Sequence, residues 1–249
     1  MIDIIMGSCC YESKDEAKRQ IELGLELGYN KFRAMLFKPR TDKYSFQGYG
    51  LSKLNDLIEL QNEYKDIIFV TEILDQNDYI EMAKSGLNFI PQIGARNAQN
   101  YSLLNFFGRQ SGLTILFKNG LAMTSNEFIK SAEYLSPENN KIIYCCRGIR
   151  SSEDSLRFTP NLGSLFNIHD KLEYSSNPYN LCFDPSHTAG NRDYVIRLAK
   201  VGVVCGADTL EVEVHSTPDE ALSDSAQTIN FEQFRNLSKQ INELDKLNY

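Results

Sequence analysis

Short apolar runs alternate with longer amphipathic stretches along the chain. Eight of these runs have the length of a buried strand: IDIIMG (2–7), KFRAMLF (31–37), IIFVTEI (67–73), FIPQIG (89–94), LTILF (113–117), KIIYCC (141–146), NLCFD (180–184) and TLEVEV (209–214). Between most of them lie stretches of helical period, for example KDEAKRQIELGLELG (14–28), LSKLNDLIELQNEY (51–64), SNEFIKSAEYL (125–135), NRDYVIRLAKVGVVCG (191–206) and FEQFRNLSKQINELDKL (231–247). The stretch 151–179 is polar and irregular, with only a short helical candidate near LGSLF.

The order of these elements predicts the fold class. Eight strands that are each followed by a helix indicate an α/β protein with a parallel sheet. Eight such units in 249 residues have the size of a (β/α)₈ TIM barrel. A doubly wound open sheet is the alternative, but it usually begins with a G-x-G-x-x-G turn, which GSCCYES (7–13) lacks. We therefore predict a single TIM barrel, one domain spanning residues 1–249.

Composition and charge narrow the function classes. The net charge of −7 argues against a general binder of nucleic acid or of anionic membranes, so any cluster of arginine and lysine must be local. The six cysteines lie mostly in apolar runs, and two pairs are adjacent, which does not fit a simple disulfide framework. The start, MIDIIMGSCC, is too short an apolar run for a secretory signal or a membrane span. We expect a cytoplasmic protein with reduced thiols.

Polar residues that follow the predicted strands are the candidates for function, because a TIM barrel forms its active site at the C-terminal ends of its strands. These residues are Cys9, Lys38, Arg40, Glu72, Arg96, Lys118, Arg147, His187, Glu213 and, on the loop beyond the last strand, Asp224. Each of them alone has a structural explanation, such as a buried thiol or a solvated lysine. Every predicted strand supplies one, however, and chance would rarely produce that pattern.

Some of the candidates are suited to binding a metal ion. They offer sulfur, nitrogen and oxygen ligands, a mixture typical of Mn²⁺, Fe²⁺, Co²⁺ or Zn²⁺ sites rather than of Mg²⁺ or Ca²⁺ sites. The four are Cys9, His187, Glu213 and Asp224. In LEVEV we expect either Glu211 or Glu213 to face the barrel and the other to face the helices. Asp184 either orients His187 through a hydrogen bond or merely ends its strand in an Asp–Pro turn.

Five of the candidates are cations, and their convergence at one end of the predicted barrel is unexpected in an acidic protein. They are Lys38, Arg40, Arg96, Lys118 and Arg147. Converging cations require anions, and phosphate is favoured because arginine can bind it through two parallel hydrogen bonds. The sequence therefore predicts a divalent metal site beside a site for phosphorylated ligands.

Longer motifs add a resemblance to a known family. In order along the chain they are FKPRTDKYSFQG, QIGARNAQN, LLNFFG, SAEYL, RGIR, DPSHTAGNRD, EVHSTPDEALSD and TINFEQF. Together they resemble the 3-deoxy-D-arabino-heptulosonate 7-phosphate (DAHP) synthases of the type related to KDO8P synthase, from GSCCYES to about residue 235. The resemblance implies a TIM-barrel transferase, a homotetramer or homodimer, that condenses phosphoenolpyruvate with erythrose 4-phosphate in the first step of the shikimate pathway to aromatic amino acids.

The resemblance also implies roles for individual residues. The metal would be held by the four ligands named above. Phosphoenolpyruvate would be bound by Arg96, Lys118 and Arg147, with Ala95 beside them. The aldose phosphate would be gripped by the KPRT motif, which consists of Lys38, Pro39, Arg40 and Thr41. Glu72 and Arg192 complete the predicted substrate-binding set. Lys38 is the candidate for protonating the new alkoxide, and His187 or a water on the metal is the alternative.

The chain departs from the family pattern at four places. Ser8 replaces the proline of G-P-C, Asp42–Lys43 replaces Ser-Pro after KPRT, Cys146 replaces the glutamate of C-E-R-G, and Asn191 replaces the first arginine of G-R-R-D. We expect Asp42 to add a negative charge near the aldose phosphate and Asn191 to cost one phosphate contact. The metal chemistry is therefore predicted more firmly than the aldose.

Two alternatives to a DAHP synthase remain at this point. One is a KDO8P-like or specialised synthase that uses another aldose phosphate. KDO8P synthase itself uses arabinose 5-phosphate, carries a KANRSS-like segment in place of KPRT and lacks the QIGARN arrangement, so both motifs favour erythrose 4-phosphate here. The other is a non-catalytic paralogue that binds phosphorylated ligands, although all four predicted metal ligands are present. We expect no separate regulatory domain.

Overall fold

Eight parallel strands close into a barrel in the computed structural model, which describes residues 2–173 and 179–247. The strands are β1 (Asp3–Gly7), β2 (Lys31–Arg33), β3 (Ile68–Glu72), β4 (Phe89–Ile93), β5 (Thr114–Lys118), β6 (Lys141–Cys146), β7 (Tyr179–Phe183) and β8 (Thr209–Glu213). Each strand pairs with the next along the chain, and β8 closes the barrel by pairing with β1. The predicted TIM barrel is confirmed, whereas the extent of one domain over residues 1–249 stays a prediction.

Helices follow the strands and cover the outside of the barrel. They are α1 (Lys14–Glu26), α2 (Leu54–Glu63), α3 (Gln76–Lys84), α4 (Tyr101–Gly108), α5 (Ser125–Glu133), α6 (Leu162–Leu172), α7 (Pro185–Ala189), α8 (Arg192–Val204) and α9 (Phe231–Asp245). Local sequence fixes several of their starts. The side chain of Thr124, for example, accepts a hydrogen bond from the N–H of Glu127, whose carboxylate accepts the N–H of Thr124, so that a capping box opens α5.

Three elements differ from the sequence prediction. The strand β2 ends at Arg33, well before the end of the apolar run 31–37, and the N–H of Lys38 instead donates to the carbonyl of Gln47 at 2.8 Å. The chain after β2 therefore folds back as a loop over the C-terminal end of the barrel. The helix α6 is longer than the candidate near LGSLF, and α7 is a single turn, too short for periodicity to reveal. Part of the irregular stretch, residues 174–178, lies outside the described residues.

The strands have two apolar faces, as strands buried on both sides require. The inward side chains form a layer inside the barrel: Ile5, Met35, Val70, Ile90, Leu116, Ile143, Cys145 and Cys182. The outward side chains pack against the helices. Cys145 points inward while its neighbour Cys146 points outward, because successive residues of a strand face opposite sides. The apolar interior layer leaves the C-terminal end of the barrel as the place where charged side chains converge.

Two helical glycines differ in how closely their surroundings approach. A Cβ at Gly202 in α8 would lie 2.5 Å from Cδ1 of Phe183, so this glycine lets the helix pack directly on β7. A Cβ at Gly163 in α6 would meet nothing nearer than Oδ1 of Asn161, at 3.7 Å. Only the first position is therefore restricted to glycine by packing.

We expect Gly202→Ala to lower the free energy of unfolding by about 1–3 kcal/mol, since overpacking outweighs the gain in helix propensity. Gly163→Ala is the matched control and should be neutral or stabilising by up to about 1 kcal/mol. Urea unfolding of both variants measures the difference. Equal stability of the two variants would contradict the close packing of α8 on β7.

Candidate active site

A cavity of about 340 Å³ lies at the C-terminal end of the barrel, at the strand ends and the loops that follow them. The predicted residues that line it are Lys38, Pro39, Arg40, Thr41, Glu72, Ala95, Arg96, Lys118, Arg147, His187 and Asp224. Cys9 and Glu213 lie next to this lining, with Cys9 Sγ 3.8 Å and Glu213 Oε1 3.4 Å from Nε2 of His187. Among the predicted site residues, only Arg192 lies elsewhere.

The four predicted metal ligands form one cluster, and their donor atoms all lie within 4.8 Å of one another. Cys9 Sγ is 3.8 Å from His187 Nε2 and 2.9 Å from Asp224 Oδ2, and His187 Nε2 is 3.4 Å from Glu213 Oε1. Ligands bound to one tetrahedral ion at about 2.0–2.3 Å lie roughly 3.3–3.7 Å from one another. The cluster therefore fits a divalent ion in its chemistry and nearly in its spacing.

Asp184 positions the imidazole of His187. Its Oδ2 lies 2.7 Å from Nδ1 of His187, and its Oδ1 accepts the backbone N–H of the same residue at 2.9 Å, which caps α7. The carboxylate therefore orients the imidazole as well as capping the helix, which agrees with the first of the two alternatives that the sequence left open. Burial lowers the pKa of His187 despite the carboxylate, so the neutral ring donates from Nδ1 and directs the lone pair of Nε2 into the cluster.

Lys38 places its charged ammonium group against the metal-type cluster, the name we use for Cys9, His187, Glu213 and Asp224. Its ammonium donates to Cys9 Sγ and lies 2.8 Å from Asp224 Oδ2. Although burial disfavours the charge, the neighbouring Cys9 and Asp224 raise the pKa of Lys38 above its ordinary value. Burial and the nearby Glu213 raise the pKa of the Cys9 thiol well above its ordinary value. The lysine therefore stays protonated, and the thiol would need a stronger cation than lysine to become a thiolate.

Glu211 and Glu213 both point into the barrel, so the prediction that one of them faces the helices is wrong. Residues two apart on a strand share a face, and the outward residues of β8 are Leu210 and Val212. Arg33 lies between the two carboxylates, with Nε 3.0 Å from Oε1 of Glu211 and a terminal nitrogen 3.0 Å from Oε1 of Glu213. Both glutamates are buried because this guanidinium compensates their charge.

Lys118 joins the carboxylate of Glu211 to that of Asp184. Its ammonium lies 2.7 Å from Oδ2 of Asp184 and 2.7 Å from Oε2 of Glu211, and its side chain is only 4% exposed. Together with Cys145, these two carboxylates form another group of possible metal ligands. Since the lysine already compensates their charge, we interpret the group as a buried ion-pair network rather than as a second metal site.

Uncompensated positive charge faces the cavity. Four arginines line it and make no ion pair with a described residue: Arg40, Arg96, Arg147 and Arg150. Arg96 donates to Oγ1 of Thr41 at 3.3 Å, and the guanidinium of Arg147 lies 4.1 Å from the ring centroid of Phe158. Burial lowers the pKa of the Arg147 guanidinium, which reflects poor compensation of its charge. The cavity is therefore suited to anions.

Glu72 adds an acidic group to this otherwise cationic wall. Burial raises the pKa of its carboxyl above the ordinary value, against the opposing effect of Lys38. Its Oε2 accepts a long hydrogen bond of 3.4 Å from Gln92, and its Oε1 would lie 1.9 Å from a Cβ at Gly94. The glycine of the QIGAR motif therefore lets the carboxyl approach the backbone of the neighbouring strand end.

Arg192 does not line the cavity. Its guanidinium lies 2.7 Å from Oδ1 of Asp219 and donates to the carbonyl of Ser225 at 2.8 Å. The preceding Asn191 caps α8 by accepting the N–H of Asp193 at 3.0 Å. In the structure these two residues secure a helix start and the loop after β8, and a contact of Arg192 with substrate stays a prediction.

The other departures from the family pattern have local explanations. Asp42 lines the cavity, but its oxygens accept hydrogen bonds from the N–H of Tyr44 at 3.1 Å and the hydroxyl of Ser45 at 2.9 Å. These hydrogen bonds lower the pKa of Asp42, which stays charged and turns the loop. Ser8 contacts α1, and Cys146 faces the helices rather than the cavity.

Three residues that contact the cluster were not predicted from the sequence: Arg33, Arg157 and Gln227. Arg33 lies in a buried strand, where an arginine is rarely found without a partner, and that signal could have revealed it. Arg157 donates to Oδ1 of Asp224 at 3.0 Å, and Gln227 donates to Oε2 of Glu213 at 2.6 Å. Neither of these two lies at the end of a strand or in a periodic segment, so the pattern of apolar and polar positions held no signal for them.

The fold and the site define an enzyme-like TIM barrel with a metal-type cluster beside an anion-binding cavity. Comparison with known proteins gives the family: the sequence model of the DAHP synthetase I family matches residues 2–248, and the chain belongs to this family. The resemblance inferred from the motifs is therefore confirmed.

Individual relatives agree with this assignment. Phospho-2-dehydro-3-deoxyheptonate aldolase of Thermotoga maritima is 39% identical over 242 residues, which cover 97% of this chain and 69% of the relative. Its crystal structure, described as a DAHP synthase, superposes with a TM-score of 0.88 at 37% identity, covering 99% of this chain and 69% of the other. A 2-dehydro-3-deoxyphosphooctonate aldolase of Fusobacterium nucleatum is 26% identical over 268 residues, which cover 98% of this chain and 90% of the relative.

We expect Lys118→Met to lower the free energy of unfolding by about 3–5 kcal/mol, because two buried carboxylates lose their cation. Lys84→Met is the matched control. Lys84 pairs with Glu81 on the surface and is 66% exposed, so its loss should cost less than about 1 kcal/mol. Urea unfolding compares the two variants. Similar small losses for both would show that Asp184 and Glu211 do not depend on Lys118.

Proposed function

We propose that this protein is a metal-dependent 3-deoxy-7-phosphoheptulonate synthase. It condenses phosphoenolpyruvate with erythrose 4-phosphate to DAHP and phosphate, the first step of the shikimate pathway to aromatic amino acids. Membership of the DAHP synthetase I family supports the proposal. The observation that carries it is the convergence on one cavity of the Cys9–His187–Glu213–Asp224 cluster and of arginines that make no ion pair within the described part of the chain. The cluster would act on the aldehyde of one substrate, and the arginines would bind the phosphate groups of both substrates.

The arginines and lysines of the cavity bind the two substrates. Arg96, Lys118 and Arg147 hold phosphoenolpyruvate, with Ala95 lining the wall beside them. The aldose phosphate binds to the KPRT motif, Lys38 to Thr41, whose Arg40 has no ion-pair partner among the described residues. Held in this way, the two substrates present their reacting carbons to each other, which removes much of the entropic part of the barrier.

The cluster holds a divalent metal, with Mn²⁺, Fe²⁺, Co²⁺ and Zn²⁺ as the candidates. When bound, the ion supplies Lewis acidity toward the aldehyde. His187 contributes a neutral imidazole whose tautomer is fixed by Asp184, and Cys9 contributes its sulfur once its proton is lost.

The covalent change needs few protein groups. C3 of phosphoenolpyruvate bonds to the aldehyde carbon, water adds at C2, and phosphate leaves with cleavage of its C–O bond. Lys38 protonates the new alkoxide, since its ammonium stays protonated between Cys9 and Asp224. The cavity arginines stabilise the negative charge of the departing phosphate.

The four-carbon aldose is favoured over a five-carbon one by the residues of the cavity. KPRT and QIGARN, which favour erythrose 4-phosphate, both line it. The carboxylate of Asp42 is engaged by Tyr44 and Ser45, so its charge is directed into its own loop. The 39% identity to the heptonate aldolase, against 26% to the octonate aldolase, points the same way.

The remaining properties are proposals as well. We propose a homotetramer or a homodimer in the cytoplasm, acting on phosphoenolpyruvate and an aldose phosphate without nucleic acid or membrane partners. None of the described helices combines the length and the apolar character that a membrane span requires.

Phosphate release from phosphoenolpyruvate in the presence of aldose phosphates of three, four and five carbons tests the reaction and the substrate together. We expect the four-carbon erythrose 4-phosphate to give the highest kcat/KM, and arabinose 5-phosphate to react at least tenfold less efficiently. A preference for a five-carbon aldose would replace the proposed activity by that of a KDO8P-like synthase. No release with any aldose would indicate a non-catalytic protein.

The variant Cys9→Ala tests whether the cluster binds a divalent metal that turnover requires. We expect it to lose most of its affinity for divalent metal and nearly all turnover, because one of four ligands is removed, while the circular dichroism of the barrel is unchanged. Measuring bound metal after dialysis and activity after chelation gives both readouts. Full activity of a chelator-treated Cys9→Ala variant would refute the metal role.

A further inference from the structure

Each carboxylate of the metal-type cluster has one oxygen facing the cluster and the other held from outside. The inner oxygens are Oδ2 of Asp224, near Cys9, and Oε1 of Glu213, near His187. The outer oxygens are Oδ1 of Asp224 and Oε2 of Glu213. Arg157 donates to the first at 3.0 Å, and Gln227 donates to the second at 2.6 Å. This division of the oxygens limits each carboxylate to presenting a single oxygen to a metal.

The orientation of Gln227 is fixed by its two neighbours. Its Oε1 accepts from Arg157 at 2.7 Å, while its Nε2 donates to Glu213. A guanidinium can only donate and a carboxylate can only accept, so the opposite orientation of the amide would break both hydrogen bonds. Arg157 therefore acts on Asp224 directly and on Glu213 through a buried amide.

The segment that carries Arg157 is anchored to α7, the helix that contains His187. The N–H of Arg157 donates to the carbonyl of Ala189, and the N–H of Phe158 donates to that of Thr188, both at 3.2 Å. A Cβ at Gly190 would lie 2.4 Å from Cβ of Arg157, and Gly190 has a positive φ of 67°. The chain can come this close only at a glycine.

The residue after Arg157 supports the anion-binding side of the cavity. The ring of Phe158 lies 4.1 Å from the guanidinium carbon of Arg147, in a cation–π contact. Two adjacent residues of one anchored segment thus contact the two chemical parts of the site.

We propose that Arg157 and Gln227 are positioning residues that aim the carboxylates of Asp224 and Glu213 at a divalent metal and thereby set the affinity of the site. The proposal rests on the metal-dependent function proposed above. Neither residue needs to touch the metal or the reacting atoms. Partners of this kind, which hold the ligands of a metal, typically contribute a factor of about 10 to 100 to its affinity.

Titration of the metal-free protein with Co²⁺, without substrates, tests the proposal, because the absorption of a cobalt–thiolate bond reports ion binding beside Cys9. We expect Gln227→Leu and Arg157→Gln each to weaken Co²⁺ binding about 10- to 100-fold. Arg157→Lys keeps a charged donor and should lose less. Arg235→Gln is the matched control: Arg235 pairs with Glu26 on the exposed face of α9, so its removal should leave the affinity unchanged.

The double variant Arg157→Gln/Gln227→Leu separates positioning from general destabilisation. Both residues act in series on Glu213, so we expect the double variant to lose less affinity than the product of the two single losses. A lower melting temperature with wild-type Co²⁺ affinity would show a purely structural role and overturn the inference, while the proposed function would stand. Failure of the wild-type protein to bind Co²⁺ would overturn both.

Discussion

Charge compensation among buried side chains is the constraint on which the site depends. Four carboxylates near the C-terminal end of the barrel, Asp184, Glu211, Glu213 and Asp224, each have a protein cation beside them, whereas Glu72 makes no ion pair with a described residue and burial raises its pKa. Without these partners, each buried carboxylate would cost several kcal/mol, roughly, in lost hydration. The cations involved, among them Arg33 and Lys118, are therefore part of the fold itself. The arginines that line the cavity and have no carboxylate partner among the described residues leave positive charge there, which suits the phosphorylated ligands proposed above.

Closure of the barrel explains where the two chemical parts of the site lie. Cys9 follows β1 and Glu213 ends β8, and these strands pair directly, with Gly7 opposite Glu213. His187 follows β7, so the metal-type ligands gather where the last strands meet the first. The residues proposed to bind anions come mostly from the ends of β2, β4, β5 and β6, around the rest of the rim. An aldehyde beside the cluster and a phosphate among the arginines would therefore face each other across the cavity.

The sequence predicted the parts of this arrangement that local pattern encodes. Alternation of apolar and amphipathic segments located every strand, and the rule that function lies at the strand ends led to Cys9, Lys38 and His187. Pattern failed where a residue depends on partners distant in the chain. Arg157 lies in an irregular stretch and gains its role only when the loop after β8 docks against it. The wrong orientation predicted for one of Glu211 and Glu213 was avoidable, because residues two apart on a strand face the same side.

The pairing of β1 with β8 also determines when the site can form during synthesis and folding. Cys9 and Asp224 are in contact although 215 positions separate them in the chain. During synthesis from the amino terminus, the thiol is made first, and the four side chains of the cluster come together only after the last strand and the loop beyond it have emerged and docked. Contacts between such distant segments are the slowest to form in a folding chain. Assembly of the four-residue cluster is thus a property of the finished barrel alone, and a chain whose final strand has frayed would separate Asp224 from Cys9.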